Sequence, residues 1–271
     1  MLTRSFALFY GGACYAAFLV VFVYALGFVG GFFTPTMLDG AAREPLSRAL
    51  IVDLGLLAAF ALQHSGMARP AFKRWWTRLV PEWAERSTYV LLSSLAMVAL
   101  FAFWEPIGGV VWSATGEVAF TAVAGLYVIG WLVLFYATLL IDHFDLFGLA
   151  QVWRRWSGAA DRPPQFRTPS LYRHVRHPLY VGWLMIIWAA PRMTVAHLVF
   201  ALGTTAYILI GIQLEERDLI ATFGKRYLEY RRATPMLIPR ISARRGSSPT
   251  AQRDGATALA TSAGEHPAER S

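Results

Sequence analysis

The chain has 271 residues, 56% of them hydrophobic, 14% aromatic and only 15% charged. Soluble domains carry about a quarter charged residues, so an ordinary soluble domain is excluded. The net charge is +8, but the basic residues gather in short links between long uncharged runs, which places them at a membrane face and not on nucleic acid.

The first uncharged run, Ser5 to Leu38, is much longer than the ~7–15 apolar residues of a signal peptide. It predicts a membrane helix over about residues 6–29, ended by Gly30-Gly31 and Pro35. Cys14, the single cysteine, lies inside it and reads as a small buried hydrophobe. No disulfide framework or cysteine–metal site is available. A polar link, Asp39 to Arg48, leads to a second helix at about 49–66, with Asp53 near its start and His64 near its end. The next link holds Lys73, Arg74, Trp75, Trp76, Arg78, Trp83 and Arg86, a composition suited to the headgroup level.

A third helix covers about 88–104 and a fourth about 118–141. The link between them, Glu105 to Glu117, carries two acids and no basic residue. The fourth helix is uncharged and ends beside His143 and Asp145. A second basic segment then runs from Arg154 to Arg176. The apolar stretch after Pro178 would span only ~18 Å as a helix, too short to cross a bilayer alone. Pro191 breaks it, and a second run, Met193 to Leu214, leads back. The pair reads as a bent helical hairpin over 179–214 that brings His177–Tyr180 beside Glu215-Glu216 at one membrane face.

The expected fold is therefore all-α and integral to the membrane, with about five transmembrane segments, the last being the hairpin. Residues 1–240 form the membrane domain, and the Ser/Ala/Gly/Thr/Arg-rich residues 241–271 are expected to be disordered. The basic links lie after the second and fourth helices. That asymmetry puts both termini and the hairpin ends in the cytoplasm, with Glu105–Glu117 on the opposite face.

No G-x-G-x-x-G turn precedes a helix, so a nucleotide-like cofactor must be held by side chains and helix ends. The helix after His177 has proline in its first turn, and its free N–H groups and dipole suit a carboxylate. Glu215 or Glu216 can accept from an amine or hydroxyls, and Tyr172 and Tyr180 can stack or hydrogen-bond. Ionisable groups at a membrane face are functional candidates. His143, His64 and Asp145 are accordingly the candidate catalytic residues. The alternatives are satisfied histidines at helix ends or, for the two histidines, axial ligands of a haem. His197 reads as a hydrogen-bonded structural histidine, and Tyr227 and Tyr230 as interfacial anchors. No metal site is expected, and the sequence sets no oligomeric state.

Arg176-His177-Pro178-x-Tyr180-x-Gly182, the apolar hairpin, Glu215-Glu216-x-x-Leu219-x-x-x-Phe223-Gly224-x-x-Tyr227-x-x-Tyr230 and a closing proline resemble the isoprenylcysteine carboxyl methyltransferase superfamily. With His143-Phe144-Asp145-Leu146-Phe147-Gly148-Leu149 and Phe166-Arg167-Thr168-Pro169 added, roughly residues 1–240 look more closely like the methanethiol S-methyltransferases, membrane relatives of the NnrU proteins. The resemblance implies a bacterial inner-membrane enzyme with a cytoplasmic C-terminal cofactor site. It would use S-adenosylmethionine (S-adenosyl-L-methionine) to methylate a small volatile thiol, turning methanethiol into dimethyl sulfide.

The resemblance also implies cofactor contacts at His177, Pro178 and Tyr180, with Leu179 between them, and at Tyr172 and Glu215, while the adjoining Glu216 stays a candidate beside it. The less well matched stretch Pro164 to Arg167 would line the same site. An arginine that meets the prenylated substrate in the carboxyl methyltransferases is replaced here by Gly211, which argues against that substrate. Two other readings remain. One is an NADPH-dependent membrane reductase of the sterol-reductase type, with the arginines of 154–176 on the additional phosphate. The other is a non-catalytic haem- or quinone-binding protein.

Overall fold

The computed structural model describes residues 2–160 and 165–240. The expected tail at 241–271 lies outside the described residues, as do Arg162 and Pro164. The elements run α1 (Leu2–Gly30), α2 (Leu46–Ala68), α3 (Pro70–Trp76), α4 (Glu82–Phe103), β1 (Val110–Ser113), α5 (Glu117–Ile141), α6 (His143–Leu146) and α7 (Leu149–Ser157). A 3-10 turn (Ser170–Arg173) follows, then α8 (Pro178–Trp188), β2 (Arg192–Thr194), α9 (Val195–Phe223) and α10 (Lys225–Ala233).

The protein is an all-α integral membrane protein. Five helices, α1, α2, α4, α5 and α9, are long and apolar enough to cross a bilayer. Large apolar side chains stay exposed along them, among them Phe9, Val20, Ile51, Leu62, Leu132 and Ile210. A belt of that kind is compatible with lipid and not with water.

In lipid, helices associate through close packing and hydrogen bonds. The α5–α8 contact shows the first. A Cβ on Gly182 would stand 2.7 Å from the Leu134 nitrogen and 2.8 Å from the Gly130 carbonyl oxygen. The two helices therefore touch backbone to backbone, antiparallel, over the C-terminal half of α5. Hydrogen bonds fix the remaining neighbours. The Tyr127 hydroxyl donates to the Leu26 carbonyl at 2.6 Å, joining α5 to α1. The Glu105 N–H donates to buried Asp53 at 2.9 Å, joining the end of α4 to the start of α2. An apolar cluster around Phe28, Phe101, Trp104, Ile186 and Phe200 fills the space between.

The hairpin differs from its expected form in two ways. First, α9 continues past Leu214 to Phe223, so Glu215 and Glu216 sit within a helix and not at its end. Second, α8 does not turn back halfway. At ~1.5 Å per residue its 11 residues span only ~16 Å, but the chain continues in extended form, and β2 pairs antiparallel with β1. The Ala114 N–H donates to the Pro191 carbonyl at 2.7 Å. The hairpin tip thus reaches the α4–α5 link, and its two limbs cover the full depth of the helix bundle. The link before α4 is also more ordered than expected. It contains α3, and α4 starts at Glu82, where Glu82 and Glu85 in the first turn favour the helix N-terminus.

Candidate active site

The R-H-P sequence is held by the chain's own C-terminal segment. The backbone N–H groups of Arg176 and His177 donate to the carbonyls of Pro235 and Met236 at 2.9 and 3.2 Å. His177 is the N-cap residue of α8, and Pro178 opens the helix. Val181 N–H returns to the His177 carbonyl at 3.1 Å. Pro178 has no N–H, and the N–H groups of Leu179 and Tyr180 fall in the first turn, where a helix supplies no partner. No side chain caps them.

The two adjacent glutamates have different surroundings. Glu216 is buried and fully engaged. Arg176 Nε donates to its Oε1 at 2.7 Å, and His177 Nε2 lies 3.1 Å from the same oxygen. Arg231 Nε stands 3.6 Å from Oε2. Arg176 also donates to the carbonyls of Arg231 and Thr234 at 3.0 and 2.6 Å. Glu215 has a 45% exposed side chain, and His177 Nδ1 stands 3.8 Å from its Oε2. Tyr172 and Tyr180 stand near enough for its charge to act on their hydroxyls. Burial and then the Glu215 carboxylate push the Tyr172 phenol upward, so it remains a protonated donor.

Tyr227 and Tyr230 are not headgroup anchors. Tyr227 is buried. Tyr230, pushed up to about 12 mainly by burial, donates to the Tyr172 carbonyl at 2.5 Å. Together they enclose Phe166, whose ring also meets Phe223 and lies under Arg226. Arg167, by contrast, is exposed and donates to Gln165. Phe166 falls in the Pro164 to Arg167 stretch expected to line the site, whereas sequence reasoning did not single out Arg176 as a site residue. Arg176 does stand in the quoted motif, directly before the histidine it helps to hold.

The candidate catalytic residues fall into two groups. His64 lies between α2 and α4: its Nδ1 is 3.1 Å from Ser93 Oγ, and the Tyr89 hydroxyl lies 2.9 Å from its Nε2 and 3.1 Å from its Nδ1. Phe60 stacks on its ring, and Tyr207 of α9 meets Phe60. The Ser65 hydroxyl donates to Tyr207 at 3.4 Å. His143 lies instead against α1. Its Nε2 is 2.7 Å from the Tyr15 hydroxyl and its Nδ1 is 2.8 Å from Thr138 Oγ1. The Thr138 hydroxyl proton is spent on the Phe135 carbonyl at 2.7 Å. Nδ1 therefore carries the hydrogen of a neutral imidazole, and Tyr15 donates to Nε2. Burial pushes His143 down, with Asp142 opposing, in keeping with the neutral form. Asp145 is paired with Arg154 at 3.0 Å. His64 and His143 share no hydrogen-bond partner among the described residues. Nor do those residues contain a cluster of three or more metal-binding side chains.

His197 is structural in its contacts. Its Nε2 faces the Ile187 carbonyl at 3.0 Å and its Nδ1 faces Asp39 at 3.3 Å. Thr194, the N-cap of α9, also donates to Asp39.

No family model and no solved structure matches the chain. Curated relatives do. A protein of Crocosphaera subtropica named methanethiol S-methyltransferase is 53% identical over 240 residues, 89% of this chain and 94% of the relative. One of Mycobacterium tuberculosis with the same name is 46% identical over 236 residues, 87% of this chain and 97% of the relative. A Sus scrofa protein named Nurim is 36% identical over 176 residues, 62% of this chain and 66% of that protein. Identity at this level over nearly the whole of two bacterial relatives shows that the chain belongs to the methanethiol S-methyltransferase family.

Proposed function

We propose that this protein is a membrane S-methyltransferase that takes the methyl group of S-adenosylmethionine and transfers it to methanethiol, giving dimethyl sulfide. The relatives' name supports the reaction and implies a methyl donor. One observation carries the choice of donor: half-exposed Glu215 stands beside Tyr172, Tyr180 and the uncapped first turn of α8. S-adenosylmethionine presents a carboxylate, an amine, a ribose diol and a flat base. The Leu179 and Tyr180 N–H groups suit the carboxylate. Glu215 suits the amine or hydroxyls, and the Tyr172 and Tyr180 rings suit stacking. His177 and Pro178 fix the start of α8, Glu216 holds His177, and Arg167 is the outermost member of the set. Bound there, S-adenosylmethionine supplies a methyl group already activated by its sulfonium charge.

The protein then has two tasks. It aligns the acceptor sulfur with the methyl group, for which orientation alone is worth several kcal/mol. It also helps the thiol lose its proton, because a thiol pKa of ~8.5 or above leaves little thiolate at neutral pH. His64 is the base in this reading. His143 and Asp145 shape the corner between α5 and α7, where Tyr15, Thr138 and Arg154 occupy them. The site opens on the cytoplasmic face of a bacterial inner membrane, with both termini on that side.

Titration calorimetry on the purified protein in detergent tests the donor. Saturable binding of S-adenosylmethionine, with none of NADPH, is expected. Binding of NADPH alone would replace this reading with a reductase.

A further inference from the structure

Among the described histidines, His64 is set apart by the hydrogen-bonding character of its partners. His177 faces two carboxylates, and His197 faces a carboxylate and a backbone carbonyl. Those partners only accept. His174 lies near the Ser170 carbonyl, again an acceptor. His143 meets two hydroxyls, but the proton of one is committed to the Phe135 carbonyl, which fixes its tautomer. His64 meets two hydroxyls: Tyr89, 2.9 Å from Nε2 and 3.1 Å from Nδ1, and Ser93, 3.1 Å from Nδ1. Each of these can donate or accept.

Two further observations give this unit a direction. Gln63 Nε2 lies 3.4 Å from Ser93 Oγ, while Gln63 Oε1 is buried with no hydrogen-bond partner. Ser93 Oγ therefore accepts from Gln63 and can accept from His64 Nδ1–H as well. On the other side, the Tyr89 hydroxyl belongs to the group formed by Tyr180 and Tyr207, which lie within electrostatic reach of one another and, for Tyr180, of Glu215. Beside Tyr180 there is open space: a Cβ on Gly211 would meet only the Tyr180 hydroxyl, at 3.9 Å.

We propose that Tyr89 is a catalytic residue that receives the thiol proton and passes its own to His64, with Ser93 as a positioning residue that holds His64 in the matching tautomer. The inference rests on the methyl-transfer reading above. In this step the S–H bond breaks and its electron pair stays on sulfur. The proton goes to the Tyr89 oxygen while the Tyr89 proton goes to His64 Nε2. His64 Nδ1–H remains directed at Ser93, and the resulting imidazolium returns its proton to water after turnover. The acceptor thiol accordingly sits between Tyr89, Tyr180 and the Gly211 side of α9.

The test is a pH profile of dimethyl sulfide formation at saturating S-adenosylmethionine, for wild type, Tyr89→Phe, Ser93→Ala and Ser93→Thr, with cofactor affinity and thermal midpoint measured on each. Wild-type activity checks the underlying reading; without it the reading itself fails, whatever the variants do. Given that activity, Tyr89→Phe should bind cofactor normally and lose about 10²-fold or more in turnover at neutral pH. The loss should shrink as pH rises toward the thiol pKa, where thiolate forms unaided. Ser93→Ala should show the same pH-dependent defect more weakly, and Ser93→Thr should restore the rate. A Tyr89→Phe turnover equal to wild type, or a defect that stays constant across pH, would overturn the proposal. If Tyr89→Phe does not fold, the serine pair decides: equal profiles for Ser93→Ala and Ser93→Thr would overturn it.

Discussion

Two glutamates adjacent in sequence carry different loads. Removing one partner of a buried ion pair leaves the other charge stranded, at a cost of about 3–5 kcal/mol. Glu216→Ala strands Arg176 in this way and removes the partner of His177 Nε2, so it should lower the thermal midpoint sharply in detergent. Glu215→Gln strands nothing and should leave that midpoint almost unchanged. It should instead weaken S-adenosylmethionine binding about tenfold or more, the value of a charge-assisted hydrogen bond of ~1.5–3 kcal/mol. The reverse pattern in calorimetry and thermal unfolding would exchange their roles. The sequence named both residues but could not separate them, because which one points inward depends on where Arg176 lies across the fold. His143 permits a pH test. Its folded-state pKa is pushed down by burial, so the unfolded chain binds the proton more readily, with a reference near ~6.5. Its share of stability is present above that value and is lost as pH falls through the lower folded value. Thermal midpoints of wild type should therefore fall on acidification more steeply than those of His143→Gln; parallel curves would remove His143 from the pH response.

At the level of elements, α8 is the piece on which the proposed site depends, because its first turn is the proposed cofactor end and its body is pressed onto α5. A methyl group on Gly182 would meet backbone atoms of Gly130 and Leu134, which cannot rotate away as a side chain would. Gly182→Ala should thus cost about 1–3 kcal/mol by overpacking and displace α8, reducing both the thermal midpoint and cofactor affinity. Unchanged values for both would show that the two helices are less tightly apposed. The long helices were legible because each is an uncharged run of membrane-spanning length between links rich in polar, Gly or Pro residues. The short length of α8 was legible too. Its completion by an extended segment was not, because β1 and β2 are brief strands, separated widely in sequence, whose pairing is backbone chemistry without a side-chain pattern. Nor could a one-dimensional reading separate His64 from His143: α2 and α5 end at the same face, but the two rings lie against different helices.

For the molecule as a whole, the packing divides the links into two sets. The ends of α2 and α5, the starts of α4 and α8 and the glutamates of α9 lie at one face, and β1, β2 and the start of α2 lie at the other. The basic links fall on the first set, and by the positive-inside rule we propose that this face is the cytoplasmic one. Reporter fusions after Arg78 and after Ser113 should give opposite signals, and equal signals would refute this orientation. The central claim is the reaction, and isotope transfer tests it most directly. Purified protein in detergent would be given methanethiol and S-adenosylmethionine carrying a trideuterated methyl group, and the headspace would be read by mass spectrometry. The account predicts dimethyl sulfide with one deuterated methyl group, formed in proportion to enzyme. Headspace free of labelled dimethyl sulfide, from protein shown to be folded and to bind the cofactor, would contradict it.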